Sequence, residues 1–140
     1  DLKDKNIWQR RFREIRNFEE YIQANGFLVL KFFLNVSKEE QKKRFLERID
    51  DPSKNWKFSF EDIEKRKLWK KYMKAFEDML QKTSTKGCPW YVIPADHKWF
   101  TRAVVADIIV KRLGQLDLTY PVISDKNRLK EARRVLLAEK

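Results

Sequence analysis

The sequence predicts a parallel α/β sheet with helices on both of its faces. Two short apolar runs, residues 27–36 and 90–93, have the β-branched and aromatic content of strands. Segments with helical periodicity flank and separate these runs, and strands separated by helices are typical of parallel sheets. Because natural sheets usually contain about five strands, we expect the chain to be the C-terminal portion of a larger α/β domain.

The charge of the chain indicates a polyanionic partner. Thirty-two Lys and Arg against 21 Asp and Glu in 140 residues give a formal net charge of +11. This excess suits nucleic acid, anionic lipid or a phosphate-rich substrate, and a merely solvated charged surface is the alternative. With 42% hydrophobic residues and a single Cys, the composition excludes a disordered tail and a disulfide framework. No apolar run reaches the roughly 18 residues of a membrane helix, so no membrane partner is expected.

Residues 4–25 are predicted to form the first helix. Its apolar residues recur at steps of three and four, which places them on one face: Trp8, Phe12, Ile15, Phe18 and Ile22. Gly26 then supplies a usual helix stop. This spacing favours a role in the core over base stacking.

The run 27–36 is almost continuously apolar, as expected for a strand that is buried on both faces. Ser37 and Glu40 then form a capping box, in which each side chain bonds a free backbone N–H of the first helical turn. A second helix is therefore predicted from Lys38 to about Ile49.

Residues 50–58 interrupt the helical pattern, because Pro52 disfavours helix at Asp51. A second capping pattern at Ser59 and Asp62 predicts one long helix that continues to about Gln81. Its apolar stripe contains Trp69, Tyr72, Met73, Phe76, Met79 and Leu80, and its opposite face carries Lys65, Lys67, Lys70, Lys71 and Lys74.

The second strand, residues 90–93, follows a loop at 83–89 that holds Cys88, which we expect to be inert. Asp96 is predicted to cap a helix over residues 97–113, and contact with a metal or a ribose is the alternative. A connector at 114–124 then leads to a last amphipathic helix over 125–138.

Basic residues concentrate between Lys38 and Lys74. Arg44 and Arg48 are four residues apart and share one helix face, and Lys54, Lys57 and Arg66 follow. Arginine holds phosphate oxygens bidentately, and cations offset the charge on a migrating phosphoryl group. The segment therefore has what a phosphate lid requires, although a solvated helix face is the alternative. No Gly-rich phosphate cradle occurs in the chain, and Trp56 is the aromatic residue left free to stack on a base.

A longer pattern spans most of the chain. Its positions are Trp8, Arg13-Glu-Ile15, Phe18-Glu19, Lys31-Phe-Phe-Leu34, Ser37, Glu40-Gln41, Arg44-Phe45, Arg48, Asp51-Pro52, Lys54, Trp56-Lys57, Ser59, Asp62, Trp69, Tyr72, Ala75, Glu77, Met79-Leu80, Thr83-Ser-Thr85, Pro89-Trp90, Ala95-Asp96, Lys98 and Arg102. In this order they resemble the polyphosphate kinase type 2 family over roughly residues 8–113.

The resemblance implies a P-loop kinase with a three-layer α/β/α fold, parallel strands and a helical lid at about residues 38–74. Residues 1–140 would be the C-terminal part of that single domain. The implied reaction moves phosphate between inorganic polyphosphate and a nucleoside mono- or diphosphate, with the pairs ADP/ATP or AMP/ADP. It needs Mg²⁺ and takes place in the cytoplasm in dimers or tetramers. The Walker segments and the Mg²⁺ ligands are expected upstream, so no metal ligand is assigned here.

The same resemblance assigns Arg44 and Arg48 to the transferring phosphoryl group as catalytic residues. Polyphosphate or phosphate contacts are assigned to Lys54, Lys57, Arg66, Lys98 and Arg102, and structural ion pairs are the alternative for the last two. Two other functions stay open: a non-catalytic basic nucleic-acid-binding module and a degenerate regulatory kinase paralogue.

Overall fold

The computed structural model describes residues 6–139. In chain order its elements are α1 (Ile7–Ala24), β1 (Lys31–Asn35), α2 (Lys38–Asp50), a 3-10 turn (Pro52–Lys57), α3 (Phe60–Lys67), α4 (Trp69–Thr83), β2 (Trp90–Pro94), α5 (Lys98–Gly114) and α6 (Lys126–Ala138). The first two residues of the predicted first helix, 4 and 5, lie outside the described residues. Two compact units, Asp1–Ile109 and Val110–Lys140, divide the chain. None of the described helices has the length and apolar content of a membrane span.

The two strands are parallel neighbours, which confirms the predicted α/β class. Their register pairs Lys31 with Trp90 and Asn35 with Pro94. The N–H of Ala95 donates to the carbonyl oxygen of Asn35 at 2.9 Å, so the odd-numbered residues of β1 face β2. The backbone groups of Phe32 and Leu34 therefore point to the opposite edge of β1.

The two edges of this strand pair differ in their capacity to add a strand. Pro94 lies on the outer side of β2, where it offers no N–H to a further strand. The outer side of β1 presents the N–H and C=O groups of Phe32 and Leu34 without such a block. The sheet can therefore extend beyond β1 more readily than beyond β2.

β1 is shorter and more exposed than the sequence predicted. The strand covers Lys31–Asn35, and 51% of the surface of Leu34 is exposed. The prediction of burial on both faces is therefore wrong for the described residues, because a face is covered only by the elements that pack on it, and those described leave half of Leu34 uncovered.

One face of the sheet packs on α4 through aromatic side chains. The ring of Phe33 lies 5.1 Å from that of Phe76, which is itself 6.2 Å from the ring of Tyr72. Phe76 and Tyr72 belong to the apolar stripe predicted for the long helix, so the prediction that this stripe faces the core is confirmed for these two residues.

A polar cluster is buried on the same face at the amino end of β1. The ammonium of Lys31 donates to Glu19 Oε2 of α1 and to the carbonyl oxygen of Thr83 of α4, both at 2.7 Å. The Trp90 ring centroid lies 5.2 Å from Lys31 Nζ, and its Nε1 donates to Thr83 Oγ1 at 2.8 Å. The cluster thus joins α1, β1, α4 and β2.

Cys88 is fully buried near this cluster. Burial raises the pKa of its thiol, and the carboxylate of Glu19 adds to the rise. Because the thiolate is the reactive form, we expect a thiol reagent at about pH 8 to modify the native protein far more slowly than the urea-unfolded protein. Equal rates in the two states would show that the thiol is accessible.

The start of α2 confirms one half of the predicted capping box. Ser37 Oγ accepts a hydrogen bond from the Glu40 N–H at 3.1 Å, as predicted. The Glu40 carboxylate does not reach back to the backbone; it accepts from Arg44 Nε at 2.8 Å. That half of the prediction is wrong because a guanidinium one turn along the helix is the stronger donor.

The predicted long helix is divided into α3 and α4. Leu68 separates them, and its N–H donates to the carbonyl oxygen of Lys65 at 3.0 Å, a tight turn with no glycine or proline nearby. Ser59 caps α3 as predicted, although its Oγ accepts from the N–H of Glu61, at 3.3 Å, and not from that of Asp62.

The unit Val110–Lys140 contains the last predicted helix. Asp125 caps α6 by accepting the Arg128 N–H at 2.9 Å, which confirms the helix predicted for residues 125–138. The preceding connector has no regular secondary structure, and 95% of the surface of Tyr120 is exposed.

Candidate functional site

A cleft of about 400 Å³ opens at the carboxyl end of β1. The last residues of β1 and the helices α2, α3 and α4 surround it. Its aromatic lining is Phe33, Phe45, Trp69, Tyr72 and Phe76, and its polar lining is Asn35, Gln41, Asp62, Lys65 and Arg66. A flat ligand with an anionic group would find both kinds of contact here.

Arg66 is the best-placed cation of this cleft. Its Nη1 donates to Gln41 Oε1 of α2 at 2.7 Å, and its guanidinium carbon lies 5.8 Å from the centre of the Trp69 ring. These contacts hold the planar group against the cleft wall and leave Nε and Nη2 without a hydrogen bond among the described residues. The predicted phosphate-binding residue therefore has donors available in the cleft.

Arg48 lies beside the cleft through its contact with Phe45. Its guanidinium carbon is 5.5 Å from the centre of that ring, and Phe45 lines the cleft. Within residues 6–139 the Arg48 side chain makes no hydrogen bond or ion pair. Its donors are therefore available to an anion.

Arg44 has a different environment from Arg48, although both lie on α2. Its Nε donates to Glu40 Oε1 at 2.8 Å, and its Nη2 donates to the carbonyl oxygens of Ala95 and Asp96 at 2.7 and 3.2 Å. Two of its three nitrogen atoms are thus engaged with the protein. The structure places Arg44 between α2 and the turn after β2, outside the cleft lining.

The remaining predicted cations do not line the cleft. Lys54 forms an ion pair with Asp51 at 2.8 Å within the 3-10 turn, and Lys57 Nζ lies 4.8 Å from the centre of the Trp56 ring. Lys98 and Arg102 are exposed on α5. Of the predicted cations, the structure therefore brings Arg66 into the cleft lining and Arg48 beside it, and these four residues lie outside the lining.

Asp51 keeps its charge over the whole working pH range. Hydrogen bonds from Lys54 and Ser53 lower the pKa of its carboxyl group to about 2. A lowered pKa means that the ion pair is present above the ordinary value and weakens only as the pH falls towards 2. The ion pair between Asp51 and Lys54 is therefore present throughout the neutral pH range.

Asp96 does not occupy the position that the sequence suggested. The helix α5 begins at Lys98, so its capping position is His97, and the prediction that Asp96 caps it is wrong. Asp96 Oδ1 accepts the N–H of Ser37 at 2.7 Å, and this bond is the main cause of the lowered pKa of its carboxyl group. The carboxylate is ionised at neutral pH, and its contribution is lost only as the pH falls below about 3.9.

Two features of the site differ from the sequence-based expectation. The residues of the α4 stripe were expected to be core, whereas Trp69 and Tyr72 also line a cleft. The second is the contact between Ser37 and Asp96, each two residues beyond the register pair Asn35 and Pro94. The contact could have been predicted if the register of the two strands had been known, because the carboxyl ends of parallel neighbouring strands meet at one edge of the sheet.

The geometry defines a class of protein. Ligands of open α/β sheets bind outside the carboxyl ends of the strands, and that is where the cleft lies. Lys65 and Arg66 of α3 line it and Arg48 of α2 lies beside it, which suits a ligand that carries phosphate. The fold and the site are those of an α/β domain with a basic helical segment over its ligand-binding edge.

A family model described as Polyphosphate kinase 2 matches residues 1–120. The chain belongs to the polyphosphate kinase 2 family. This confirms the resemblance that the sequence pattern indicated.

Individual relatives show how much of such a protein the chain represents. An uncharacterised protein of Leptolyngbya boryana is 58% identical over 135 residues, which are 95% of this chain and 99% of that protein. The ADP-polyphosphate phosphotransferase of Rhodopseudomonas palustris is 46% identical over 135 residues, but these are 47% of its length. A crystal structure of polyphosphate kinase 2 from Arthrobacter aurescens superposes with a TM-score of 0.87 and 38% identity, over 96% of this chain and 48% of that one. The chain spans about half the length of these two polyphosphate enzymes.

Proposed function

We propose that the chain forms the lid-bearing half of a polyphosphate-dependent nucleotide phosphotransferase. The enzyme would move phosphate between inorganic polyphosphate and a nucleoside mono- or diphosphate. The observation that carries the proposal is the cleft at the carboxyl end of β1, where Arg66 is held beside an aromatic wall, in a chain of the polyphosphate kinase 2 family. The name of the Rhodopseudomonas relative, an ADP-polyphosphate phosphotransferase, supports the same reaction.

The cleft residues divide into two roles under this proposal. Trp69 and Tyr72 offer flat apolar surface to a nucleobase, since every base has a π-face. Arg66 would bind phosphate oxygens next to that surface through its free donors. Lys65 adds charge at the cleft, although Glu61 accepts from its ammonium at 3.0 Å.

We assign to Arg48 the role of binding the phosphoryl group while it is transferred. Cationic donors that are in place before the reaction stabilise the charge that spreads over the equatorial oxygens. Arg48 meets this requirement because its guanidinium stacks on Phe45 and has no hydrogen bond within the described part of the chain. Lys54, Lys57, Lys98 and Arg102 would guide the long polyanion by charge alone.

The rest of the catalytic domain would complete the sheet. The open edge of β1 can pair with a further parallel strand, and the Rhodopseudomonas and Arthrobacter polyphosphate enzymes contain about as much chain again as the matched half. Walker segments supplied from that side would be close to the cleft, since strand ends in one sheet share an edge.

Mg²⁺ is part of the proposed reaction, but the cleft residues described above do not include a site for it. Among residues 6–139, no three His, Cys, Asp or Glu side chains come together so that they could hold a metal ion. The described residues therefore do not fit the ion, and we derive no step through it. The family resemblance supports ligands in the other half, a cytoplasmic location and a homo-oligomer.

Phosphotransferase activity of the protein from the full reading frame tests the proposal. ATP should form from ADP, or ADP from AMP, when Mg²⁺ and long-chain polyphosphate are present, and neither should form without polyphosphate. Lack of product from both nucleotides would overturn the proposal. Tight binding of RNA by such an inactive protein would then favour the nucleic-acid-binding function.

Polyphosphate affinity should fall steeply with salt. A flexible polyanion releases counterions when cations bind it, so a site with about four contacts loses roughly 50-fold in affinity between 50 and 200 mM salt. Titration of polyphosphate at several salt concentrations measures the slope. The Arg66→Gln variant should have a shallower slope, by about one contact. Affinity that is independent of salt would contradict an electrostatic site.

A further inference from the structure

Four residues connect the start of α2 to the turn after β2. Asp96 Oδ1 accepts the N–H of Ser37, the residue that caps α2, at 2.7 Å. Arg44, two turns into the helix, donates back to the carbonyl oxygens of Ala95 and Asp96 at 2.7 and 3.2 Å. We call Ser37, Glu40, Arg44 and Asp96 the clamp.

The clamp holds α2 at two positions along its axis. The Ser37 bond holds the first turn, and the Arg44 bonds hold the helix about 10 Å further along its axis, since each residue rises about 1.5 Å. Glu40 accepts from Arg44 Nε at 2.8 Å and so fixes the direction of the guanidinium. Two attachment points on one helix define its direction, which a single cap would leave free.

The direction of α2 decides where Arg48 lies. Arg48 follows Arg44 by one helical turn, on the same side of α2. Gln41, which orients Arg66 at 2.7 Å, lies between the two attachment points. The positions of Arg48 and Arg66 therefore both depend on how α2 is held.

We propose that Asp96 and Arg44 are positioning residues of the phosphoryl-transfer site, which act by holding α2 so that Arg48 reaches the transferring group. The role rests on the proposed function. It differs from the prediction for Arg44, which placed that side chain itself on the phosphoryl group. In the structure the guanidinium of Arg44 donates to the backbone carbonyl oxygens of Ala95 and Asp96.

Variants of Asp96 in the protein from the full reading frame separate this role from simple loss of stability. Asp96→Ala removes the acceptor, and kcat should fall about 10- to 100-fold, as for a catalytic group displaced by about 1 Å. Asp96→Asn keeps an acceptor oxygen and should retain most of the activity. Asp50→Ala, which removes an exposed carboxylate at the end of α2, is the matched control.

A double-mutant cycle with Arg48 gives the decisive measurement. If Asp96 acts through Arg48, Asp96→Ala should change kcat less than about twofold in the Arg48→Ala background. Multiplicative losses, or an Asp96→Ala variant as active as the parent, would overturn the proposal.

Amide exchange of this chain provides a readout that needs no activity. The Ser37 N–H should exchange much faster in Asp96→Ala than in Asp96→Asn, and unchanged exchange would overturn the clamp itself. Absence of activity in the parent protein would overturn the proposed function, and the positioning role with it, whatever the exchange rates are. The two failures are therefore distinguishable.

Discussion

Replacement of Glu19 by alanine is expected to lower the free energy of unfolding by about 3 to 5 kcal/mol. The ammonium of Lys31 is 2.7 Å from Glu19 Oε2, and the exposed side-chain fractions of the two residues are 7% and 11%. Removal of the carboxylate leaves a buried cation with the Thr83 carbonyl oxygen and the Trp90 ring as its remaining partners. Urea unfolding followed by tryptophan fluorescence measures the loss.

Two comparisons isolate the buried pair in that experiment. Glu61→Ala removes the carboxylate of an exposed pair with Lys65, at 3.0 Å, and should cost less than about 1 kcal/mol. The double variant Glu19→Leu with Lys31→Met replaces the pair by apolar side chains, and it should recover most of the loss. A double variant as unstable as Glu19→Ala would show that packing, and not the unpaired charge, causes the effect.

Local sequence signals were sufficient for most helices and for both strands. Ser37 caps α2 through the Glu40 N–H, and Pro52 ends the helix near Asp51, as their side chains dictate within a few residues. The helices α5 and α6 begin and end within one or two residues of their predicted bounds. In each case the deciding contacts lie within four residues along the chain, so periodicity and capping rules contain them.

Features that depend on distant contacts were not predictable from local patterns. Arg44 turns to carbonyl oxygens 51 and 52 residues away, and Asp96 to a backbone N–H 59 residues away. The break at Leu68 has no glycine or proline to announce it. Exposure of Leu34 follows from which elements pack over that face of β1, and a strand's own composition does not encode them.

Replacement of Arg48 by alanine in the active enzyme is expected to lower kcat by about 100- to 1000-fold. The guanidinium lies against the ring of Phe45 beside the cleft, and its donors have no protein partner in the described part of the chain. Because the contact with Phe45 already orders the side chain, little conformational entropy remains to be lost when substrate binds. Steady-state kinetics with polyphosphate and nucleotide varied separately would place the loss in kcat and not in KM of the nucleotide. Arg48→Lys keeps the charge but loses the planar fork, so its kcat should be intermediate.

Lys43→Ala is the matched control, because Lys43 is an exposed cation on the same helix. It changes the net charge by the same amount as Arg48→Ala and should mainly weaken polyphosphate binding at low salt. If both variants lose the same small factor, α2 contributes only its electrostatic field. A second outcome is that Arg48→Ala lowers kcat, that Lys43→Ala does not, and that Asp96→Ala has no further effect on kcat in the Arg48→Ala background. The clamp then acts on catalysis through Arg48. Arg44 and Arg48, which are one helical turn apart, then have different roles: Arg44 holds the helix, and Arg48 binds the phosphate.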